Sequence, residues 1–225
     1  MLADYVRAQR TPLTFEAAVS AMRTALTHRL RWSPALHVLA LALARTAFET
    51  ARWQEIWNHN WGNTKATETY EGSYCSYACS EVLSAGLTWF IPEGELDRKD
   101  GTVVGKVWLV PPGHPQTRFC AHASAVDGAI RYLDLMSSEA HRATWEMFLL
   151  GDAIAYVRAL VAEGYLAKSD ATYARGVASL QDEFALRLER LPVSEVFVPT
   201  RDEVRALVTP SVEADPPSSE RRSSW

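Results

Sequence analysis

Residues 42 to 63 read ALARTAFETARWQEIWNHNWGN. One carboxylate, Glu49, closes an almost unbroken apolar run, and Trp53, Trp57, Trp61, Asn58, Asn60 and Asn63 follow it. Burial disfavours a charged carboxylate, and the negative end of a helix macrodipole pushes the same way. An acid so placed is expected to hold its proton near neutral pH, which is what a glycosidase asks of its general acid. The flat indole faces and the amide groups downstream suit pyranose rings and N-acetyl groups. The competing reading is structural: Glu49 bonded to Arg45 one turn earlier, or to Arg52, with tryptophans that only fill a core.

The flanking pattern says which elements hold these residues. Thr14 precedes FEAAVSAMRTALTHRL, in which Phe15, Ala18, Met22 and Leu26 recur at helical spacing. Ser33-Pro34 then reads as a cap followed by proline at the first helical position. The helix it opens carries Leu36, Val38, Leu39, Leu41, Leu43, Ala44, Ala47 and Phe48 around nearly its whole circumference, so it belongs inside the protein. Its end is expected near Ala51 or Trp53, with Glu49 in the last turn or two.

From 54 to 123 helical periodicity disappears and glycine, proline and aromatic residues rise. YACSEVL and LTWFIP, separated by Ser84-Ala85-Gly86, predict one hairpin; GKVWLV and TRFCAHA, separated by PPGHPQ, predict a second. Helices then return. Ser124 with Asp127 caps AVDGAIRYLDLM, HRATWEMFLL predicts a short helix, DAIAYVRALVAE stops at Gly164, and a last helix runs from about 170 to 190. Helices, a small β region and helices again predict an α+β fold: a mainly helical lobe and a β-hairpin lobe, about 66–122, flanking a substrate groove. A single domain is expected over 1–204, followed by a disordered polar tail over 205–225, rich in proline and serine.

The totals narrow the function classes. A formal charge of −4 offers no basic field for a polyanion, so nucleic acid is not an expected partner. No apolar stretch is long enough to span a bilayer, so membrane insertion is not expected either. The N-terminus lacks the pattern of a secretory signal. Synthesis in the cytoplasm is expected, with any action outside it reached through a phage-type or secretion-system route. Cys75, Cys79 and Cys120 make an odd count, read chiefly as buried or free thiols; one disulfide, or a metal site with a histidine, are the alternatives.

ALARTAFETA followed by NHNWGNTK resembles the ALETGWG and NNLFGIK segments of the peptidoglycan-cleaving glucosaminidase domain, glycoside hydrolase family 73. CSEVLSAGLTWF is similar to that family's Thr-x-Glu hairpin, TRFCAHASAVDGAIRYLDLM to its FRxYxSxxESxxDYxxLL segment, and GYLAKSDATYARGV to GYATDPxYAxKL. The four motifs fall in the family's order over roughly residues 40 to 180. The resemblance implies a lysozyme-like fold and cleavage of the β-1,4 bond between N-acetylglucosamine and N-acetylmuramic acid, with no metal and no organic cofactor. It implies Glu49 as the catalytic acid and Glu81 as the second carboxylate, with Glu68 and Glu71 as rivals in the same lobe. An inverting reaction needs the two carboxyls about 6.5–9.5 Å apart, whereas a substrate acetamido nucleophile needs no second carboxylate.

Tyr165 and Tyr173 match the two tyrosines of the closing motif, where a hydroxyl can position substrate or water. Trp53, Asn58, Asn60 and Trp61 are the remaining candidate sugar contacts. His114, in the PPGHPQ turn, reads as a solvated turn residue, and Asp127 as a helix cap. The chain departs from the family pattern at Ala51, His59 and Cys79, which replace a glycine, an asparagine and a threonine. Lys65 comes one residue late, and two extra residues separate Tyr165 from Tyr173. The expected partner is the glycan strand of peptidoglycan, met by a monomer. The same fold and a single glutamate also suit a muramidase or lytic transglycosylase. A non-catalytic wall-binding or assembly module and a zinc-stabilised binding domain are the readings outside that class.

Overall fold

The computed structural model describes residues 4–83, 86–93, 105–166 and 171–191. The hairpin turn at Ser84-Ala85, the domain end expected at 204 and the 205–225 tail lie outside the described residues.

Helix α1 (Phe15–Leu30) begins where the apolar periodicity begins, with the Thr14 hydroxyl oxygen accepting from the Ala17 N–H at 3.2 Å. Helix α2 (Leu36–Glu49) is the axis of the domain: every residue from Val38 to Ala47 is buried, as its all-round apolar surface requires. It starts two residues later than the Ser33-Pro34 pair predicts. Ala35 is extended, with ψ 148°, so the proline lies in the lead-in and no side chain caps the helix.

The other end of α2 also differs from expectation, and the difference places Glu49. Thr50 leaves the helix; its hydroxyl donates back to the Thr46 carbonyl at 2.7 Å and accepts from the Trp53 N–H at 3.2 Å. Ala51, Arg52 and Trp53 then follow in the left-handed region, with φ of 48°, 55° and 62°. Glu49 is therefore the last helical residue, and the chain turns sharply away from it.

The β region comprises β1 (Tyr74–Ser76), β2 (Cys79–Leu83), β3 (Gly86–Pro92), β4 (Lys106–Val110) and β5 (Arg118–Cys120). The first predicted hairpin forms: β2 and β3 are antiparallel, with Glu81 opposite Thr88. The second does not. β4 runs parallel to β3, and β5 pairs instead with β1 in a separate two-stranded sheet. The linking segment supplies the reason. Pro111, Pro112 and Pro115 have no N–H to extend a ladder, and the chain turns twice there, with His114 N–H bonded to the Pro111 carbonyl and Thr117 N–H to that of His114. A small second core under β1 and β5 holds Ala8, Cys75, Tyr77, Phe119 and Ala121.

Helix α3 (Ala125–Met136) is capped as predicted: Asp127 N–H donates to the Ser124 hydroxyl oxygen, and that hydroxyl donates to Asp127 Oδ2 at 2.7 Å. A 3-10 turn leads into α4 (Arg142–Leu150), then α5 (Ala153–Ala162), capped by Asp152, and α6 (Ala171–Leu188). Two glycines permit close approaches that bear on the site. A Cβ on Gly176 would fall 2.4 Å from the Phe48 ring, so its absence lets α6 lie against the end of α2. A Cβ on Gly128 would fall 1.9 Å from the His59 carbonyl oxygen, so α3 packs directly on the loop after α2.

Ala51 holds a conformation that costs an L-residue about 1–2 kcal/mol, against a smaller gain from its stiffer unfolded chain. Ala51→Gly is expected to stabilise the protein by about 0.5–1 kcal/mol, seen as a rise of about 1–4 °C in the thermal midpoint. An unchanged or lowered midpoint contradicts a strained Ala51.

Candidate active site

Glu49 stands at the C-terminus of α2 with its side chain 26% exposed. One turn back, Arg45 is buried, with 3% of its side chain exposed, and its Nη1 lies 2.7 Å from Glu49 Oε1. Tyr173, on α6, donates its hydroxyl to the same oxygen at 2.5 Å. Among the described residues no hydrogen bond or ion pair reaches Oε2. The carboxyl is thus held through one oxygen, while the other accepts no hydrogen bond from a described residue. The expectation of a lone acid in a dry pocket is corrected here: Glu49 is a quarter exposed, and it has the cationic partner that the structural reading named. Arg52, the other partner considered, is engaged elsewhere by both oxygens of Glu183 at 2.7 Å.

Arg45 is the only buried arginine among the described residues, and what surrounds it is aromatic. Burial works against its charge, but Glu49 and the phenol oxygens of Tyr132, Tyr173 and Tyr156 outweigh that cost, and its pKa moves up. Its guanidinium carbon lies 5.6 Å from the Tyr173 ring centroid, a cation–π distance. Burial pushes the Tyr156 phenol up to about 12, with Arg45 acting against it, and pushes Tyr132 and Tyr173 well above the usual phenol value. These hydroxyls are therefore neutral at physiological pH. Tyr132 and Tyr156 share a hydrogen bond at 3.3 Å, which leaves Tyr173 as the phenol that addresses the acid.

Tyr165 lines the same neighbourhood. Burial raises its phenol to about 12, with Tyr132, Arg45 and Glu49 all close enough to act on it. Its ring packs edge-on against His141 at 5.2 Å. His141 is in turn held by Glu163, 3.3 Å away. Glu163, the residue that ends α5, also accepts from the Ala143 and Thr144 N–H groups and from the Thr144 hydroxyl. Burial alone would raise the Glu163 carboxyl; these bonds at the start of α4 win, and its pKa is lowered. The clamp fixes the ring beneath Tyr165.

The remaining predicted site residues are elsewhere. Trp53 is buried, stacked on Phe184 and bonded through Nε1 to the Thr46 hydroxyl; it is core and offers no sugar face. Trp61 is fully buried, with Nε1 donating to the Ala125 carbonyl at 2.8 Å, and is core for the same reason. Asn60 is buried and clamps its own turn, exchanging both amide hydrogen bonds with the Thr64 backbone. Asn58 is likewise spent on backbone, at Gln9 N–H and the Arg7 carbonyl, and its φ of 44° is one that asparagine tolerates better than most residues. Trp53, Asn60 and Trp61 are thus buried, and the half-buried Asn58 already spends its amide on backbone.

Glu81, on β2, pairs with Lys65 Nζ at 3.3 Å, and no contact joins it to Glu49. His114 accepts from the Gln116 N–H and packs beside Phe90, as a turn residue would. Cys75 and Cys120 are buried and Cys79 is half-buried, and none of the three is joined in a disulfide. Among the described residues no group of three or more histidine, cysteine, aspartate or glutamate side chains could hold a metal ion. No described helix is long and apolar enough to cross a membrane.

The sequence reading missed Tyr132 and Tyr156. A tyrosine inside an amphipathic helix reads as packing; only the buried cation between them gives their hydroxyls a role.

The chain matches no protein-family model and no curated protein sequence. Its fold is similar to that of a crystallised peptidoglycan hydrolase mutant from Sphingomonas sp. A1. The TM-score is 0.53 at 18% identity, over 78% of this chain and 99% of that one. A C-terminally truncated glycoside hydrolase domain of FlgJ from Salmonella typhimurium aligns with a TM-score of 0.45 at 17% identity, over 76% of this chain and 95% of that one. The fold is α+β and lysozyme-like, as the motif order implies.

If Arg45 depends on Glu49 for its burial, Glu49→Gln destabilises the protein by about 1–3 kcal/mol, and the double variant with Arg45→Met loses less than the two single losses combined. Strictly additive losses in chemical denaturation contradict a coupled pair.

Proposed function

We propose that this chain hydrolyses the β-1,4 glycosidic bonds of peptidoglycan glycan strands, as an endo-β-N-acetylglucosaminidase with Glu49 as general acid. One observation carries the reading: a carboxyl at the end of a buried helix, fixed through Oε1 by Arg45 and Tyr173, with Oε2 unengaged. Motif order, and a fold similar to that of a peptidoglycan hydrolase, support the substrate class.

In this reading Oε1 accepts from the Tyr173 hydroxyl and is ion-paired with Arg45, so Oε2 is the oxygen that carries the transferable proton. It passes to the glycosidic oxygen as the bond from that oxygen to the anomeric carbon breaks, and water adds to that carbon. Tyr173 and Tyr165 position the substrate or the water. Glu81 is the candidate base that activates the water; to act it must leave Lys65 and approach the helix end when the glycan binds. A substrate acetamido group acting as nucleophile makes that movement unnecessary.

The Arg45–Glu49 pair also favours a second reading, a wall-binding module in which the carboxyl serves only to neutralise a buried cation. Glu49→Gln separates the two. The enzyme reading expects at least about a hundredfold loss of turnover on purified sacculi, with wall binding retained; unchanged lysis, or no lysis by the native protein, supports the binding module. Tyr173→Phe keeps the ring and removes the donor to Oε1, so an approximately tenfold fall in kcat with little change in KM is expected. Mass spectrometry of the digest fixes the bond: reducing N-acetylglucosamine ends are expected, while reducing N-acetylmuramic acid or anhydro ends contradict glucosaminidase specificity.

A further inference from the structure

A cleft of about 450 Å³ opens between the segment before β1 and helix α3, lined by Thr69, Tyr70, Glu71, Gly72, His122 and Arg131. Its walls are built. Gly72 is needed for the Tyr70 hydroxyl to fold back over the chain, since a Cβ there would fall 2.4 Å from that oxygen. The Tyr70 hydroxyl interacts with the Cys120 thiol, and the Arg131 guanidinium lies 5.7 Å from the Tyr70 ring centroid.

Two opposite charges line this cleft without using each other. Neither Glu71 nor Arg131 forms an ion pair with the other or with any other described residue. His122, in the same lining, makes no side-chain hydrogen bond with a described residue. Burial first, then Arg131, push its imidazole down to about 4, against the pull of Asp127, so it is a neutral donor or acceptor at physiological pH.

We propose that this cleft is a binding site for an amino-acid group carrying both a carboxylate and an ammonium, with the carboxylate on Arg131 and the ammonium on Glu71. This rests on the proposed function, because the peptide side branches of peptidoglycan present that pairing and a glycan backbone does not. An arginine fork matches a carboxylate through two parallel hydrogen bonds, and a free glutamate is the simplest partner for an ammonium. The cleft then reads the peptide branches while Glu49 faces the sugar.

The test compares two forms of the same wall: intact glycan strands, and strands stripped of their peptides by an amidase. Arg131→Ala and Glu71→Gln are each expected to lower kcat/KM on intact strands by about tenfold while leaving stripped strands within about twofold. Equal losses on both substrates, or no loss on either, overturn the proposal and leave the hydrolase reading intact. A parallel titration of native protein with an isolated branch tetrapeptide, followed by NMR, does not depend on turnover. Chemical-shift changes at His122 that disappear in Arg131→Ala support the site even if the protein proves not to be a hydrolase; a titration without changes there overturns it.

Discussion

A buried guanidinium is the constraint around which this protein is arranged. Arg45 sits one turn before the end of a helix whose other buried residues are almost all aliphatic, and a cation there is tolerated only if its charge is answered locally. Glu49 answers it from one turn along the same helix, and the tyrosines of α3, α5 and α6 complete the ring. The requirement reaches outward. α2 has to stop at Glu49, α6 has to approach closely enough for Tyr173 to bond the carboxyl, and Gly176 has to lack a side chain for that approach. A pair of this kind contributes geometry more than stability. Here it holds one carboxyl oxygen still, while the other accepts no hydrogen bond from a described residue.

The elements that position the acid were legible in the sequence because their signals are local. Thr14 and Ser124 cap helices at the expected places, Gly164 follows α5 closely, and the all-round apolar surface of α2 marks it as the buried axis. The first hairpin was legible for the same reason: two alternating runs joined by a short turn. The second was not, because pairing partners are chosen by the whole sheet, and a proline-rich link carries no information about which strand lies beyond it. β4 found a place beside β3, and β5 found β1 across more than forty residues of chain.

The candidate site was legible only in part. Glu49 and Tyr173 meet as their motifs implied. The tryptophans and asparagines of the following loop did not behave as their composition suggested. A run of left-handed residues needs internal support, and those side chains supply it: Asn60 clamps its turn, Asn58 ties the loop to the N-terminal segment, and Trp53 and Trp61 anchor it in the core. Aromatic and amide residues near an acid suit a sugar and suit a strained loop equally well, and sequence cannot distinguish the two. Glu71 is the converse case. It entered as a rival carboxylate and is found in a cleft of its own, facing an arginine instead of the acid.

The account stands or falls on what occupies the space beside Glu49 Oε2. A crystal structure of the Glu49→Gln variant with a peptidoglycan tetrasaccharide tests this directly. The predicted result is a glycosidic oxygen within about 3.2 Å of the side-chain atom that replaces Oε2, with residue 49 still held by Arg45 and Tyr173 through its other atom. A glycan bound with no sugar oxygen near residue 49, or a collapsed Arg45 pocket that leaves no room for one, contradicts it.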